Sequence, residues 1–256
     1  MEIAILDAVM RITFPSFIVT ALFFAWAGTA CQKYSQPERL RRFTAPQQIP
    51  ASQKNATSKT FENPPDSASV SDTIPTVTHR AVVRTTLGEI TIGLYGKDAP
   101  RAVENFVKLS ERKFFRGILF HRVARNFVVQ TGDPKTKDKR KKDEWGTGGE
   151  SAFGEPFPDE IFTDAPSVKR GYRRGTVAMA NRSPDANTSQ FFFCLRDISE
   201  LPQQFTIFGE VLRGQNIVDS IGNVEIMPQL NGNDGRPVKA IIIKSVAVAK
   251  VRALAR

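Results

Sequence analysis

The sequence offers few side chains for metal or nucleophilic chemistry: two histidines, His79 and His121, and two cysteines, Cys31 and Cys194. These spacings assemble no zinc set, and two cysteines cannot form a disulfide framework. No nucleophile elbow is present. Gly146-Thr147-Gly148-Gly149 lacks the following Lys and helix of a phosphate loop, so it reads as a turn. Neither a metal nor a cofactor is expected. Three other strings stand out: FHRVARNFVVQTGDP from Phe120 to Pro134, MANRSPDANTSQFFF from Met179 to Phe193, and FTIFGEV from Phe205 to Val211. A basic run, Lys135, Lys137, Lys139, Arg140, Lys141 and Lys142, follows the first. It reads either as a solvated, mobile loop or as an attraction for anionic lipid or nucleic acid. No aromatic residue interleaves it to stack bases, so nucleic acid is not an expected partner.

In order and spacing, the three strings resemble the signature segments of cyclophilins, the peptidyl-prolyl cis-trans isomerases. The segment APRAVENFVKLSERKFFRGILFHRV, Ala99 to Val123, strengthens the resemblance, which extends over residues 80 to 250. It implies an enzyme that accelerates rotation about X-Pro bonds, assists protein folding, and acts on unfolded or flexible segments. Arg122 matches the family's catalytic arginine, a permanently protonated group with donors in a rigid fork. Phe127, Val128, Phe192, Leu201 and Phe205 match the lining of the proline pocket. Gln130 matches the side chain that bonds both arginine and substrate, and Ala180 and Asn181 match the strand edge that pairs with substrate backbone. Gln190 is expected to orient the arginine side of the groove. His121 completes the Phe-His-Arg triplet beside the substrate, in packing or hydrogen bonding, because isomerisation exchanges no proton.

Several positions depart from the family pattern. Val128 replaces a frequent Met, Phe205 a frequent His, and Glu200 the Trp of drug-sensitive members, which argues against tight cyclosporin binding. Arg182 replaces a small residue and favours acidic peptides. These departures leave a second reading open, a weakly active peptide-binding adaptor of the same fold.

The elements that must position these residues read as short strands and two helices. Val82 to Leu94 alternates around Gly88 as a hairpin. Asp98 and Pro100 open a helix whose apolar face runs from Val103 to Phe115. Strand-like runs follow at Leu119–Val123, Phe127–Thr131, Thr176–Ala180, Phe191–Leu195 and Phe205–Val211. A second helix is expected near Gln215 to Ile221 and a last strand at Val238 to Val248. The expected class is mainly β: a closed eight-stranded antiparallel barrel capped by two α-helices, the whole occupying residues 79 to 256, with the groove on its outer face.

Residues 1 to 31 read as a signal peptide or membrane anchor, since Ile12 to Cys31 carries no Asp, Glu, Lys or Arg. Read from Met10, the stretch ends in Ala27-Gly28-Thr29-Ala30-Cys31, which resembles a bacterial lipoprotein signal with Cys31 as the acylated residue. The alternative is an uncleaved anchor that keeps the domain facing the cytosol, because Lys33, Arg39, Arg41 and Arg42 follow the span. Residues 32 to 78, rich in Pro, Ser and Thr, read as a flexible linker. The expectation is therefore a membrane-associated, exported monomer; Asn181-Arg182-Ser183 and Asn187-Thr188-Ser189 are formal glycosylation acceptors within the groove, where a glycan would obstruct substrate, which argues against a eukaryotic lumen and fits bacterial export or a cytosol-facing domain. The net charge of +10 lies mostly beyond residue 75.

Overall fold

The computed structural model describes residues 74–228 and 232–251. The expected signal or anchor, and the linker up to residue 73, lie outside them.

The first hairpin pairs β1 (His79–Thr85) with β2 (Glu89–Leu94), with Arg84 opposite Glu89. Alternation decides which side faces in: Ala81, Val83, Ile90 and Ile92 are fully buried, while Arg84 and Glu89 form an exposed ion pair. The turn closes on Thr85, whose hydroxyl accepts from the Leu87 and Gly88 amides. Gly88, at φ 145°, supplies a backbone geometry that a β-carbon disfavours.

Helix α1 (Pro100–Glu111) buries Ala102, Val103, Phe106 and Leu109. Pro100 stands at its first position as expected, but Asp98 does not cap it. The Asp98 carboxylate instead accepts from the Ser167 amide at 2.8 Å, at the start of the short helix α2 (Pro166–Arg170). The cap of α1 comes from far along the chain: Glu160 accepts from the Arg101 and Ala102 amides, each at 2.9 Å. Burial raises the Glu160 pKa, an effect these amides oppose. Glu160→Ala leaves both donors without that acceptor, and a loss of about 1–2 kcal/mol is expected in urea unfolding. An unchanged midpoint would show that solvent caps the helix equally well.

The remaining elements are β3 (Arg122–Ala124), β4 (Val128–Thr131), β5 (Thr176–Met179), β6 (Phe191–Cys194), β7 (Ile207–Arg213), α3 (Gln215–Gly222), β8 (Ile226–Pro228), β9 (Asp234–Pro237) and β10 (Ile243–Lys250). All strand pairs are antiparallel, in the order β10-β1-β2-β7-β5-β6-β4-β3-β9-β8. This corrects the expected closed eight-stranded barrel: among the described residues there are ten strands in one open sheet. Near the start of β10, Gly117 takes φ 84° and its amide donates to the Ile243 carbonyl at 2.8 Å. Residues 117–120 then meet 241–243 through an isolated Leu119–Ile242 bridge and a few backbone bonds, not through a paired strand.

Strand β6 is buried on both faces. Phe191 and Phe193 enter the main core with Phe106, Phe115 and Phe208, whereas Phe192 and Cys194 enter a second cluster on the opposite face. That second face carries the site.

Candidate active site

Cross-strand register builds the site. Arg122 lies opposite Gln130, Gln130 opposite Phe192, and Phe192 opposite Ala178, so one row on one face runs across β3, β4, β6 and β5. The next row sets Ala124 opposite Val128 and Val128 opposite Cys194. Four strands thus deliver one cation, one amide and an apolar floor to a common surface.

The Arg122 side chain is about two-fifths exposed. Its Nε donates to both Asp234 oxygens, at 3.1 and 3.0 Å, and Nη2 donates to Asp234 Oδ2 at 2.6 Å. Nη1 donates to Gln130 Oε1 at 3.3 Å. A guanidinium has five N–H donors; one on each terminal nitrogen is left uncommitted among the described contacts. Sequence reading missed Asp234, which reaches Arg122 because β9 pairs with β3 in the register Ala124 opposite Asp234. A half-exposed bidentate pair is worth up to about 1 kcal/mol. Asp234→Asn is accordingly expected to lower kcat/KM for an X-Pro peptide about fivefold by loosening the fork. Undiminished turnover would show that Asp234 does not position it.

Gln130 continues the chain of bonds. Its Nε2 donates to Gln190 Oε1 at 2.8 Å, and Gln190 Nε2 donates to the Gly146 carbonyl at 3.1 Å and to that of Gly148. Gln130, Gln190, Ala180 and Asn181 line one cavity of about 350 Å³, with Arg182 at its edge. The Arg182 guanidinium donates to the Gly146 carbonyl at 2.7 Å. The Ala180 amide is already bonded to the Gln190 carbonyl, and the Asn181 side chain donates to Asp159 at 2.9 Å. Among the described residues, the Asn181 amide takes no backbone partner.

Beside the fork lies the apolar cluster. Val128 and Phe192 are 3% and 5% exposed and form its floor, while Phe127, Leu201 and Phe205 are half-buried and form the accessible wall. Phe205 stands edge-on to Phe192, with centroids 5.6 Å apart at 89°. Tyr172, also missed in the sequence, holds Phe205 in place. Its hydroxyl donates to the Phe205 carbonyl at 2.9 Å and accepts from the Phe205 amide at 3.0 Å. Burial pushes the Tyr172 pKa up to about 12 and that of Cys194 up to about 12, so both stay protonated at neutral pH. Glu200 is exposed and forms an ion pair with Arg196.

His121 does not join this group. Its ring is 5% exposed, packs against Gly146, and has neither nitrogen hydrogen-bonded among the described residues. Burial lowers its pKa from 6.5 to about 4. Because the folded value is the lower one, the associated stability is complete above pH 6.5 and is lost as pH falls toward 4. The loss amounts to roughly 3 kcal/mol. Urea unfolding of His121→Gln should lack that share of the acid destabilisation; identical pH profiles would contradict it.

The basic run is not an irregular loop. It forms two 3₁₀ turns, Pro134–Lys137 and Lys139–Glu144, capped by Asp133 and Asp138. Buried Asp133 also accepts from the Gly146 and Gly148 amides, tying both ends of the basic segment together.

The site thus sets a cation and an amide beside an aromatic notch. The comparisons assign its family. The model for "Cyclophilin type peptidyl-prolyl cis-trans isomerase/CLD" matches residues 80–248, and the chain belongs to that family, whose fold binds proline-containing peptides. Peptidyl-prolyl cis-trans isomerase-like 2 of Gibberella zeae is 37% identical over 168 residues, 66% of this chain and 26% of that protein. The spliceosome-associated protein CWC27 homolog of Xenopus laevis is 42% identical over 170 residues, 66% of this chain and 32% of that protein. The chain thus spans about a quarter to a third of these two relatives. Peptidyl-prolyl cis-trans isomerase 10 of Caenorhabditis elegans is 37% identical over 166 residues, 65% of this chain and 92% of that protein. A crystal structure of a Cryptosporidium parvum cyclophilin type isomerase, in the presence of the dipeptide Ala-Pro, superposes with a TM-score of 0.56. It is 29% identical and covers 66% of this chain and 98% of that one.

These relatives overturn the reading of a membrane-associated, exported lipoprotein of a bacterial envelope and its anchored alternative. The relatives come from a fungus, a frog and a nematode, and the frog protein is named as spliceosome-associated. Among the described residues, no helix is long and apolar enough to cross a membrane.

Proposed function

We propose that the protein is a peptidyl-prolyl cis-trans isomerase that accelerates rotation about X-Pro bonds by non-covalent transition-state stabilisation. The observation that carries this reading is the Arg122 fork, fixed by Asp234 and Gln130 beside the Phe127, Phe192, Leu201 and Phe205 cluster.

Prolyl rotation is slow because amide resonance must be broken, with a barrier near 20 kcal/mol. As the bond twists, the nitrogen regains a lone pair and becomes an acceptor. A site that binds this twisted amide better than either planar form lowers the barrier. In the proposed complex, the proline ring packs against Phe127, Leu201 and Phe205, while the uncommitted Arg122 protons hold the prolyl carbonyl and approach the nitrogen. The Asn181 backbone and Gln130 fix the flanking peptide. No proton is exchanged, so neither the neutral His121 nor the inert Cys194 is required.

The clients in this reading are proline-containing flexible segments, including those of large assemblies, as the name of the frog relative suggests. The test is refolding of a protein limited by prolyl isomerisation: catalytic amounts of the full chain are expected to accelerate it, and an unaltered rate would reject the enzyme. That outcome would favour the adaptor reading, which draws on Glu200, Val128 and Arg182.

A further inference from the structure

Behind the His121 ring lies a second cavity, of about 400 Å³, between the 3₁₀ turns, the segment from Gly117 to His121, and strand β9 with its flanks. Its surface is mostly apolar, supplied by Leu119, Trp145, Met227, Val238 and Ile242. Met227 and Val238 both line it and are 38% and 46% exposed, so they bring apolar surface within reach of a partner. Cations line it as well. Lys139 and Lys142 are exposed and make no ion pair among the described residues, and the Arg236 guanidinium lies 5.9 Å from the centroid of the Trp145 ring. Lys137 also lines the cavity, but its ammonium donates to the Phe114 carbonyl at 2.7 Å. No carboxylate lines it.

We propose that this cavity is a second docking site, for an acidic protein segment that inserts one large apolar side chain between Trp145 and Val238. The charge of the lining is one-sided: Lys139, Lys142 and Arg236 line the cavity and no carboxylate does, Glu144 and Asp138 are paired with Lys135 and Arg140, exposed Asp143 lies outside the lining, and the wall rewards burial of apolar surface. The ring of His121 forms part of that wall with both nitrogens unpartnered. Nucleic acid would require stacking surfaces. Trp145 is the one lining aromatic that is more than marginally exposed, and Arg236 already covers one of its faces.

The site does not depend on the isomerase reading, and its test separates the two. The full chain is titrated with a synthetic peptide of Glu, Asp and Ser bearing one central Leu, with the Trp145 indole N–H signal followed by NMR. Saturable binding is expected. Replacing the Leu by Gly is expected to weaken it about 10- to 100-fold. Lys139→Glu with Lys142→Glu, and separately Val238→Asp, should each weaken it at least about tenfold. All three positions are exposed, so thermal unfolding and prolyl isomerisation should be unchanged. Equal affinity for the Gly peptide, or for the variants, overturns the proposal. So does tighter binding of oligouridylate that is lost in the same variants, which would make this a nucleic-acid surface.

Discussion

Arg122→Ala is expected to lower kcat/KM for an X-Pro peptide about 100- to 1,000-fold, the usual cost of deleting a donor aimed at developing electron density. The fold should survive. The side chain is about two-fifths exposed and its ion pair with Asp234 is of the kind that contributes up to about 1 kcal/mol. Arg122→Lys should recover little, because one ammonium cannot bond Asp234 and Gln130 while still presenting two protons to substrate. A stopped-flow assay of cis-to-trans conversion, with thermal unfolding recorded on the same preparations, separates lost chemistry from lost structure. Near-wild-type turnover in Arg122→Ala would place the catalytic donor elsewhere.

Phe191→Ala is expected to be the most damaging single change to stability. The ring is 1% exposed and is enclosed by Phe106, Phe115, Phe193 and Phe208 at centroid distances of 5.5, 5.7, 5.6 and 6.1 Å. Deleting it removes the transfer energy of a buried aromatic and leaves a cavity that rigid neighbours cannot fill, a loss of about 3–5 kcal/mol. Against a typical total of about 5–15 kcal/mol, the variant should melt roughly 10 °C lower or fail to accumulate. Urea denaturation gives the value; a loss below about 1 kcal/mol would mean that the core collapses onto the gap.

How far the site was legible in the sequence follows from the distance over which each interaction acts. The alternation in β1 and β2, the Gly88 turn and helix α3 are local, and they were read correctly. Phe191 and Phe192 look alike in sequence; strand alternation sends one to the core and the other to the site. The position of Gln130 opposite Arg122 follows from a short hairpin, so a string of neighbouring residues already contained it. Asp234 was not legible. It lies 112 residues from Arg122, in a stretch of Asn, Asp, Gly and Pro that signals a turn. It becomes a strand through its pairing with β3, which overrides propensity. Asp98 shows the same limit, since it sits where a cap belongs by spacing while Glu160, at a separation of 59 residues from Arg101, serves α1 instead. The closed barrel failed for a related reason: the meeting of residues 119 and 242 is a long-range contact that no local signal reports, and it forms an isolated bridge in place of a ladder.

The most direct measurement of the central claim is exchange NMR on an Ala-Pro-containing peptide mixed with a small fraction of the full chain. If Arg122 holds the half-rotated bond more firmly than its planar ends, cis and trans resonances will exchange on the mixing timescale with wild type. With Arg122→Ala that exchange will vanish, while the peptide still shifts the Phe205 and Phe127 ring signals. Bound peptide with no added exchange in the wild type, or full exchange in the variant, would contradict the account.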